Sequence, residues 1–374
     1  MFGLGSPKYY PAVVEIGAGS LKLLQFEAAK SGPSLARSYY SSRQYSSPGA
    51  KWDLRDSLGC MVKETGIKGE AAILLTTDQI TSSTYLLPNM PENEIESALV
   101  WKIRQNLSPG TTIEDILYDY VRGNPVPGAG SDIYALVFIL NRKTALEISE
   151  LFKEFSLELV CIEPRPYAVI EGLAALNCIT ERETVLVADI GADNSSLVIV
   201  SYGHPYLIRP LTVSGKRFTA ALSSYYKIPL DKAELLKREK GLGELRLQET
   251  AAGGSNGCFS VLASHLENLV IEIEQTFQYF SHQLLKSKVQ VFDRVILTGG
   301  GAGLGGLDTF LSERLKVPVS VFDPVRGTAG GILNGIERKS VDNPAVSSGL
   351  LGLAAGFMDE SSVNRLFRRE DRRQ

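Results

Sequence analysis

The chain has 374 residues, 44 % apolar and 22 % charged, a globular composition that excludes a largely disordered or fibrous polypeptide. That length exceeds what one hydrophobic core fills, so two or more packed lobes are expected. Its 39 basic and 42 acidic side chains leave a net charge of −3, without the basic excess that a broad nucleic-acid surface needs to displace counterions.

In chain order, Ala12–Ile16 reads as a buried strand entering a Gly-Ala-Gly-Ser turn, with a return strand at Leu21–Glu27. Residues 31–51, rich in Ser, Gly, Tyr and Pro, read as polar strand or loop. Leu54–Thr65 is a candidate helix and Ala71–Thr76 a candidate buried strand. A helix is predicted from Pro91 to Asn106, with acids early and Lys102 and Arg104 late, in accord with the helix dipole. A strand (Leu117–Arg122), a Pro/Gly-rich turn (Gly123–Gly130), a strand (Ile133–Leu140), a helix (Lys143–Phe155) and a strand (Leu157–Ile162) follow. This α-β-β-α-β block is compact enough to form a small subdomain. Pro164 and Pro166 close it, and Tyr167–Asn177 is apolar and helical. Val185–Asp189 is a second buried strand ending in a glycine turn, and Ser196–Ser201 returns from it.

Residues 215–289 read as mostly helical, with a glycine-rich break at Ala252–Gly257. Their long amphipathic helix places Leu266, Leu269, Val270, Ile273, Phe277 and Phe280 on one stripe, which suits packing on its own sheet. A strand (Asp293–Leu297), a glycine loop (Thr298–Gly306), a helix (Leu307–Leu315), a strand (Pro318–Phe322) and a Gly/Ala-rich helix (Ser348–Gly356) complete the pattern. The tail Val363–Gln374, with five arginines against two acids, is expected to be frayed or surface-bound. Cys60, Cys161, Cys178 and Cys258 and the scattered His204, His265 and His282 show no metal-binding spacing, so a reducing compartment fits. Met1–Pro11 lacks a signal-peptide core, and no apolar run spans a bilayer. A cytoplasmic protein is expected.

The informative feature is a repeated turn. Val13-Val14-Glu15-Ile16-Gly17-Ala18 matches Val187-Ala188-Asp189-Ile190-Gly191-Ala192 in kind: buried strand, carboxylate, Ile-Gly-Ala, small polar turn, second strand. Such a repeat suggests two similar half-domains facing each other. Glycine allows close backbone approach, so turn N–H groups can meet phosphate oxygens, with Ser20 and Ser195 adding hydroxyls and Lys22 a positive charge. A carboxylate repels phosphate but can hold a hydrated Mg²⁺. The third element, Thr298-Gly299-Gly300-Gly301-Ala302-Gly303-Leu304-Gly305-Gly306, is a loop on which a nucleotide can lie against bare backbone. Two other readings stay open on residues alone. The hairpins are ordinary glycine turns with surface acids, or Gly301, Gly303 and Gly306, with Asp323 about 20 residues on, form a dinucleotide fingerprint. No P-loop and no Ser/His/Asp triad can be placed.

Two acid-Ile-Gly turns, the Gly-Gly-Gly loop and the apolar segments Tyr167–Leu176 and Gly349–Gly356, in this order, resemble the actin/hexokinase/heat-shock-70 ATPase fold over almost the whole chain. The inserted block looks like the extra subdomain of FtsA and PilM proteins. Leu87-Pro88-Asn89-Met90-Pro91-Glu92-Asn93-Glu94-Ile95, Glu163-Pro164 and Glu15–Lys22 are similar to the PilM family of type IV pilus assembly. The resemblance implies an α/β, duplicated ribonuclease-H-like architecture with two lobes flanking a nucleotide cleft. Residues 1–83, 164–182 and 346–374 would form the first lobe core, 84–163 the insertion, 183–213 with 290–345 the second core, and 214–289 its helical subdomain. It further implies a cytoplasmic adaptor carrying ATP and Mg²⁺, working under the inner membrane in the pilus assembly complex. Its partner would be the N-terminal cytoplasmic peptide of a PilN-like membrane protein, held at the inserted subdomain.

Carried over by motif, Gly17, Gly19, Ser20 and Lys22 would cradle phosphates, with Gly191, Ala192, Asn194 and Ser195 across from them. Glu15 and Asp189 would order the Mg²⁺ waters. Gly215, Lys216, Glu234 and Lys237 would flank ribose and adenine, and Gly299, Gly300 and Gly301 would pack on the adenosine. Glu15 stands where most of the superfamily has Asp, and no general base is evident, Asp193 suiting turn stabilisation better. ATP binding with slow or negligible turnover is therefore expected. The alternatives within this fold are an FtsA-like membrane-associated division protein and a small-molecule kinase. The first needs a membrane helix, for which Asn364–Arg369 is short and poorly apolar. The second needs a placed carboxylate base.

Overall fold

The structure is a computed structural model that describes residues 9–17, 19–29, 32–42, 53–123, 132–251, 258–284, 292–322, 348–358 and 366–367. The Pro/Gly turn near 124–130, the glycine-rich break at 252–257 and Asp323 lie outside them. The chain divides into two compact units, Met1–Thr180 with Pro324–Gln374, and Glu181–Asp323.

The first unit is built on a five-stranded sheet in the order β3-β2-β1-β4-β8, formed by β1 (Ala12–Gly17), β2 (Ser20–Ala29), β3 (Gly32–Ser42), β4 (Gly69–Leu75) and β8 (Leu157–Pro164). β1 is antiparallel to β2 and parallel to β4, which is parallel to β8. Val13, Val14, Ala72, Ile73 and Leu74 are buried on both faces, as strands covered from two sides require. Helix α1 (Leu54–Thr65) starts where Asp53 accepts the Asp56 N–H at 3.1 Å and ends on Gly66 in the left-handed region, φ 65°.

A second, three-stranded sheet has the order β5-β7-β6, from β5 (Ile80–Leu87), β6 (Ile116–Gly123) and β7 (Ile133–Asn141), all antiparallel. Helix α2 (Glu92–Asn106) lays Ile95, Leu99 and Ile103, one turn apart, onto Leu87, Ile116, Ile133, Ala135 and Val137. Helix α3 (Arg142–Glu154), capped by the Asn141 side chain, buries Ala145, Ile148 and Phe152. The small sheet therefore differs from the α-β-β-α-β expectation. It gains β5, and the block's last strand, β8, hydrogen-bonds instead to β4 of the larger sheet. A strand with both neighbours buried takes its place from long-range pairing, which local pattern does not encode.

Helix α4 (Arg165–Ala175) crosses α9 (Ser348–Met358) at Gly172 and Gly352. Both pack with Val13, Leu24, Phe26, Ala72 and Leu74 in one core.

The second unit repeats the first sheet's plan as β11-β10-β9-β12-β13, with β9 (Thr184–Ile190), β10 (Ser195–Ser201), β11 (His204–Leu211), β12 (Arg294–Thr298) and β13 (Val319–Val321). Here too the first strand is antiparallel to the second and parallel to the fourth. Helices α5 (Gly215–Tyr226), α6 (Leu230–Ala251), α7 (Cys258–Tyr279) and α8 (Leu307–Leu315) accompany it. The α7 stripe Leu266, Leu269, Val270, Ile273 and Phe277 is buried. Among the described residues, no helix is long and apolar enough to cross a membrane.

Candidate functional site

The first-unit hairpin joins β1 to β2 with Gly17 opposite Ser20 and Glu15 opposite Lys22. A Cβ on Gly17 would stand 2.6 Å from Ser20 Oγ, so a larger residue there would have to turn the Ser20 hydroxyl aside. Gly19 occupies the tip of this turn. Lys22 Nζ donates to Glu15 Oε1 at 2.5 Å, and Arg165 Nε, at the start of α4, lies 3.6 Å from Glu15 Oε2. All three side chains are buried. Burial by itself would raise the Glu15 pKa, but the Lys22 ammonium and the Arg165 guanidinium outweigh it and hold the carboxyl below its usual range. The structure thus brings Glu15 and Lys22 together as a buried cross-strand ion pair and adds Arg165.

In the second unit, β9 and β10 pair Ile190 with Ser195 and Asp189 with Ser196, leaving Gly191, Ala192, Asp193 and Asn194 as the connecting turn. The N-terminus of α5 docks on this turn. The Gly215 N–H donates to Gly191 O at 2.9 Å and the Lys216 N–H to Ala192 O at 2.8 Å. Two donors that a helix start leaves without intrahelical acceptors are thus satisfied by turn carbonyls. Lys216 Nζ is ion-paired with Asp193 across the same junction.

Behind this turn lies a buried polar network. Lys237 Nζ donates to Gly215 O at 3.0 Å, Thr219 Oγ1 at 2.9 Å and Glu234 Oε2 at 2.6 Å. An ammonium has three N–H groups, so all of them are engaged within the protein. Glu234 also receives Arg238 Nε at 2.9 Å and Thr219 Oγ1 at 2.5 Å. Burial alone would raise its pKa, but these donors overcome that and hold it at about 2. Burial pulls the Lys237 ammonium down from its ordinary value, with Glu234 opposing.

A carboxylate with a depressed folded-state pKa adds stability above its unfolded pKa, near ~4.3. That stability is lost as pH falls toward its folded value. Glu234→Gln is expected to cost on the order of 2 kcal/mol at pH 7 and to flatten the stability curve between pH ~4.3 and about 2. Urea unfolding across that range checks it. An acid limb identical to that of the unaltered protein would refute the assignment.

The glycine loop completes the second-unit cluster. β12 runs parallel to β9 with Thr298 beside Asp189. Gly299 has φ +83°, and a Cβ there would lie 2.4 Å from Asp189 Oδ1 and 2.5 Å from Ile190 O. Gly300 begins a 3-10 turn that reaches Gly303, and a Cβ on Gly301 would meet Ile190 Cγ2 at 2.3 Å. Gly299 and Gly301 therefore seat the loop backbone on the end of β9. Its far end rests on α6, where the helix breaks at Gly241 (φ 61°) and the Leu242 N–H donates to Gly305 O at 2.7 Å. This Gly241–Gly305 seam escaped the sequence reading, although Gly241-Leu242-Gly243 inside a helical run is the signal for it. Thr219 and Arg165 carried no such signal.

Two buried polar atoms have no hydrogen-bond partner among the described residues and bear on a bound group: Glu15 Oε2 and Ser195 Oγ, one in each acidic hairpin. An acceptor beside a glycine turn suits the water of a hydrated cation, and a hydroxyl beside one suits a phosphate oxygen. Each hairpin, taken by itself, thus carries a group of the kind a magnesium nucleotide needs, a carboxylate in the first and a hydroxyl in the second, with Glu15 Oε2 also 3.6 Å from Arg165 Nε. Among the described residues no cluster of three or more His, Cys, Asp or Glu side chains could hold a metal by itself.

The duplicated sheet, each copy beginning with an acidic glycine hairpin, together with the glycine loop after β12, defines an actin-like ATPase fold. This replaces the dinucleotide alternative for Gly301, Gly303 and Gly306. The profile of the type IV pilus assembly protein PilM family matches residues 50–347, and the chain belongs to that family.

Among solved structures, the chain is similar to one from the PilM–PilN type IV pilus biogenesis complex, with a TM-score of 0.73 and 23 % identity, covering 94 % of this chain and 100 % of that one. It is also similar to the ethanolamine utilization protein EutJ of Carboxydothermus hydrogenoformans, with a TM-score of 0.52 and 16 % identity, over 94 % and 90 % of the two chains. MreB 5 of Spiroplasma citri bound to AMPPNP gives 0.51 and 13 %, over 92 % and 96 %. By sequence the chain is 24 % identical over 197 residues to the cell division protein FtsA of Borreliella burgdorferi, covering 50 % of this chain and 46 % of FtsA. It is 27 % identical over 179 residues to the cell shape-determining protein Mbl of Bacillus subtilis, covering 42 % and 53 %. The chain spans about half the length of these sequence relatives.

Proposed function

We propose that this protein is an ATP-binding adaptor of the type IV pilus assembly complex, working on the cytoplasmic side of the inner membrane through its partners. The observation that carries this reading is the family match over residues 50–347. The partner is the N-terminal cytoplasmic peptide of a PilN-like membrane protein, held at the inserted subdomain, residues 84–163. The likeness to the PilM–PilN complex structure supports that choice.

Gly17, Gly19 and Ser20, with Gly191, Ala192, Asn194 and Ser195, receive the phosphates, and Glu15 and Asp189 hold Mg²⁺ through water. Gly215, Lys216, Glu234 and Lys237 stand at the ribose and base, with Gly299, Gly300 and Gly301 at the adenosine. The hydrogen bonding refines two of these roles. Lys237, with its three donors engaged, positions Glu234 and the α5 start rather than donating to ligand. Lys22 meets phosphate only as a cation already shared with Glu15. The same pair supports slow turnover, because a carboxylate whose pKa is held low is a weak base toward water.

Titration of Mg²⁺·ATP into the full chain by calorimetry is expected to give saturable binding. Asp189→Ala is expected to lower affinity at least ~10-fold with Mg²⁺ present and little without it. Absence of saturable heat overturns the nucleotide reading. Fluorescence anisotropy with a labelled PilN-like N-terminal peptide tests the adaptor reading separately. A chain that takes up ATP but ignores the peptide is not this adaptor.

A further inference from the structure

The tail does not behave as a frayed segment at Leu366 and Phe367, which are 1 % and 6 % exposed. Their backbone is read by side chains of the first unit. The Leu366 N–H donates to Glu163 Oε2 at 3.2 Å, and the Phe367 N–H to Asp119 Oδ2 at 2.9 Å. Cys161 Sγ lies 3.3 Å from Leu366 O, at hydrogen-bond distance for sulfur. The dipeptide turns at Phe367, whose φ of +47° is in the left-handed region. Asp119 belongs to β6 of the small sheet, whereas Cys161 and Glu163 belong to β8 of the large one. The seat therefore lies where the two sheets of this unit meet, beside Tyr167 on α4, whose ring packs on Phe138 of β7 at 5.7 Å.

Glu163 is otherwise hard to explain. It is fully buried, and its second oxygen, Oε1, has no hydrogen-bond partner among the described residues. Burial and the neighbouring Glu171 push its carboxyl well above the usual range, against the bonds from Leu366 and Cys161. A buried acid with an unsatisfied oxygen costs stability, and an apolar residue of similar size would serve packing better. Its use here is to accept a main-chain N–H, as Asp119 does for the next residue. Two consecutive amides read by two carboxyl groups, with Leu and Phe side chains buried, is how a peptide receptor fixes register from the backbone and preference from side chains.

We propose that this seat is a peptide-recognition site for a Leu–aromatic dipeptide, occupied in cis by Leu366–Phe367, and that the segment must leave before the same site accepts a peptide in trans. The tether favours the cis state, because Leu366 is only eight residues beyond Met358 of α9. A ligand joined to its site by so few residues competes as an intramolecular partner, at an effective concentration that a free peptide must exceed. The seat falls within residues 84–163, so its physiological rival rests on the adaptor reading. The test below uses only the protein's own segment, and its failure leaves that reading untouched.

A fluorescein-labelled peptide with the sequence of residues 362–370 is titrated into the full chain and into a full-length Leu366→Ala/Phe367→Ala variant, whose melting temperature is recorded. The variant, with its seat vacated, is expected to bind at least ~10-fold more tightly than the unaltered chain. N-methylation of the peptide amide at the Phe367 position is expected to remove that binding by at least ~10-fold, as is adding Asp119→Ala to the variant. Should the variant fail to fold, hydrogen exchange at Leu366 and Phe367 in the unaltered chain is followed instead, and excess peptide is expected to accelerate it. A folded variant that binds no better, an N-methylated peptide that binds equally well, or exchange that ignores the peptide each overturns the proposal.

Discussion

Gly352→Ala is expected to disrupt the first unit, lowering its stability by about 3–5 kcal/mol and its melting temperature by roughly 10 °C or more. A Cβ at Gly352 would lie 1.9 Å from Ala168 O, 2.9 Å from Gly172 N and 3.0 Å from Ala168 C. Every one of these is a backbone atom of α4, so no rotamer change relieves the clash. The reverse contact is equally closed, since a Cβ on Gly172 would meet Gly352 Cα at 2.8 Å. The helices would have to separate, opening the core that α9 shares with Val13, Leu24, Phe26 and Leu74. Gly349→Ala, one turn earlier on the same buried helix, is the control. Its Cβ meets only side-chain carbons, Leu74 Cδ1 at 3.2 Å and Arg165 Cγ at 3.4 Å. The helix-propensity gain of about 1 kcal/mol offsets that crowding, so near-neutral behaviour is expected. Thermal melts of the two variants decide the matter, and equal melting points would refute the backbone-contact account.

Gly299→Ala is expected to cost about 3–4 kcal/mol and to reduce ATP affinity by at least ~100-fold. Two penalties coincide there, a φ of +83° that an L residue rarely adopts and a Cβ 2.4 Å from Asp189 Oδ1 and 2.5 Å from Ile190 O. Relief would push Asp189 off the end of β9 or lift the glycine loop from it, and either disturbs the proposed cation side of the site. Gly306→Ala separates strain from contact. It has a similar φ of +85°, but its nearest neighbours, Gly243 N and Leu242 Cβ, are 3.5 Å away. A loss of about 1–2 kcal/mol is expected, with ATP affinity nearly retained. Denaturant unfolding with ATP titration measures both quantities. Gly299→Ala binding ATP like the unaltered chain would remove the glycine loop from the site.

The parts of the fold that were legible before any coordinates are those written in local pattern. Ala12–Ile16 and Val185–Asp189 declare themselves as apolar, β-branched runs ending in a glycine turn, and α2 by its Pro91 start, early acids and late Lys102 and Arg104. Ile80–Leu87 was not legible. Its Thr and Ser residues give no apolar alternation, only its ends are buried, and it is a strand because β7 supplies the partner. His204–Leu211 carries Pro205 and Pro210, which demote a strand locally but are tolerated at the sheet edge that β11 occupies.

The candidate site divides in the same way. Glycine spacing and carboxylate position announced the hairpins and the loop. The pairing of Lys22 with Glu15 follows from register across two strands, and Lys237's three bonds follow from where α6 lies against α5. Both are tertiary facts. The buried Leu366–Phe367 was hidden by its arginine-rich surroundings, whose composition describes a surface segment although these two residues are inside.

The glycine contact between α4 and α9 has a mechanical consequence. Most helix pairs are separated by a layer of side chains that can absorb a small displacement through rotamer changes, and here backbone touches backbone with no such cushion. The two helices are thus stiffly coupled at their crossing, and a push on one is handed to the other as a rigid-body shift. α4 bears Arg165 against the Glu15 hairpin at one end and Glu171 toward Glu163 further along. Stress applied where the Leu–Phe dipeptide sits has a short, unyielding lever to the acidic turn of the same unit.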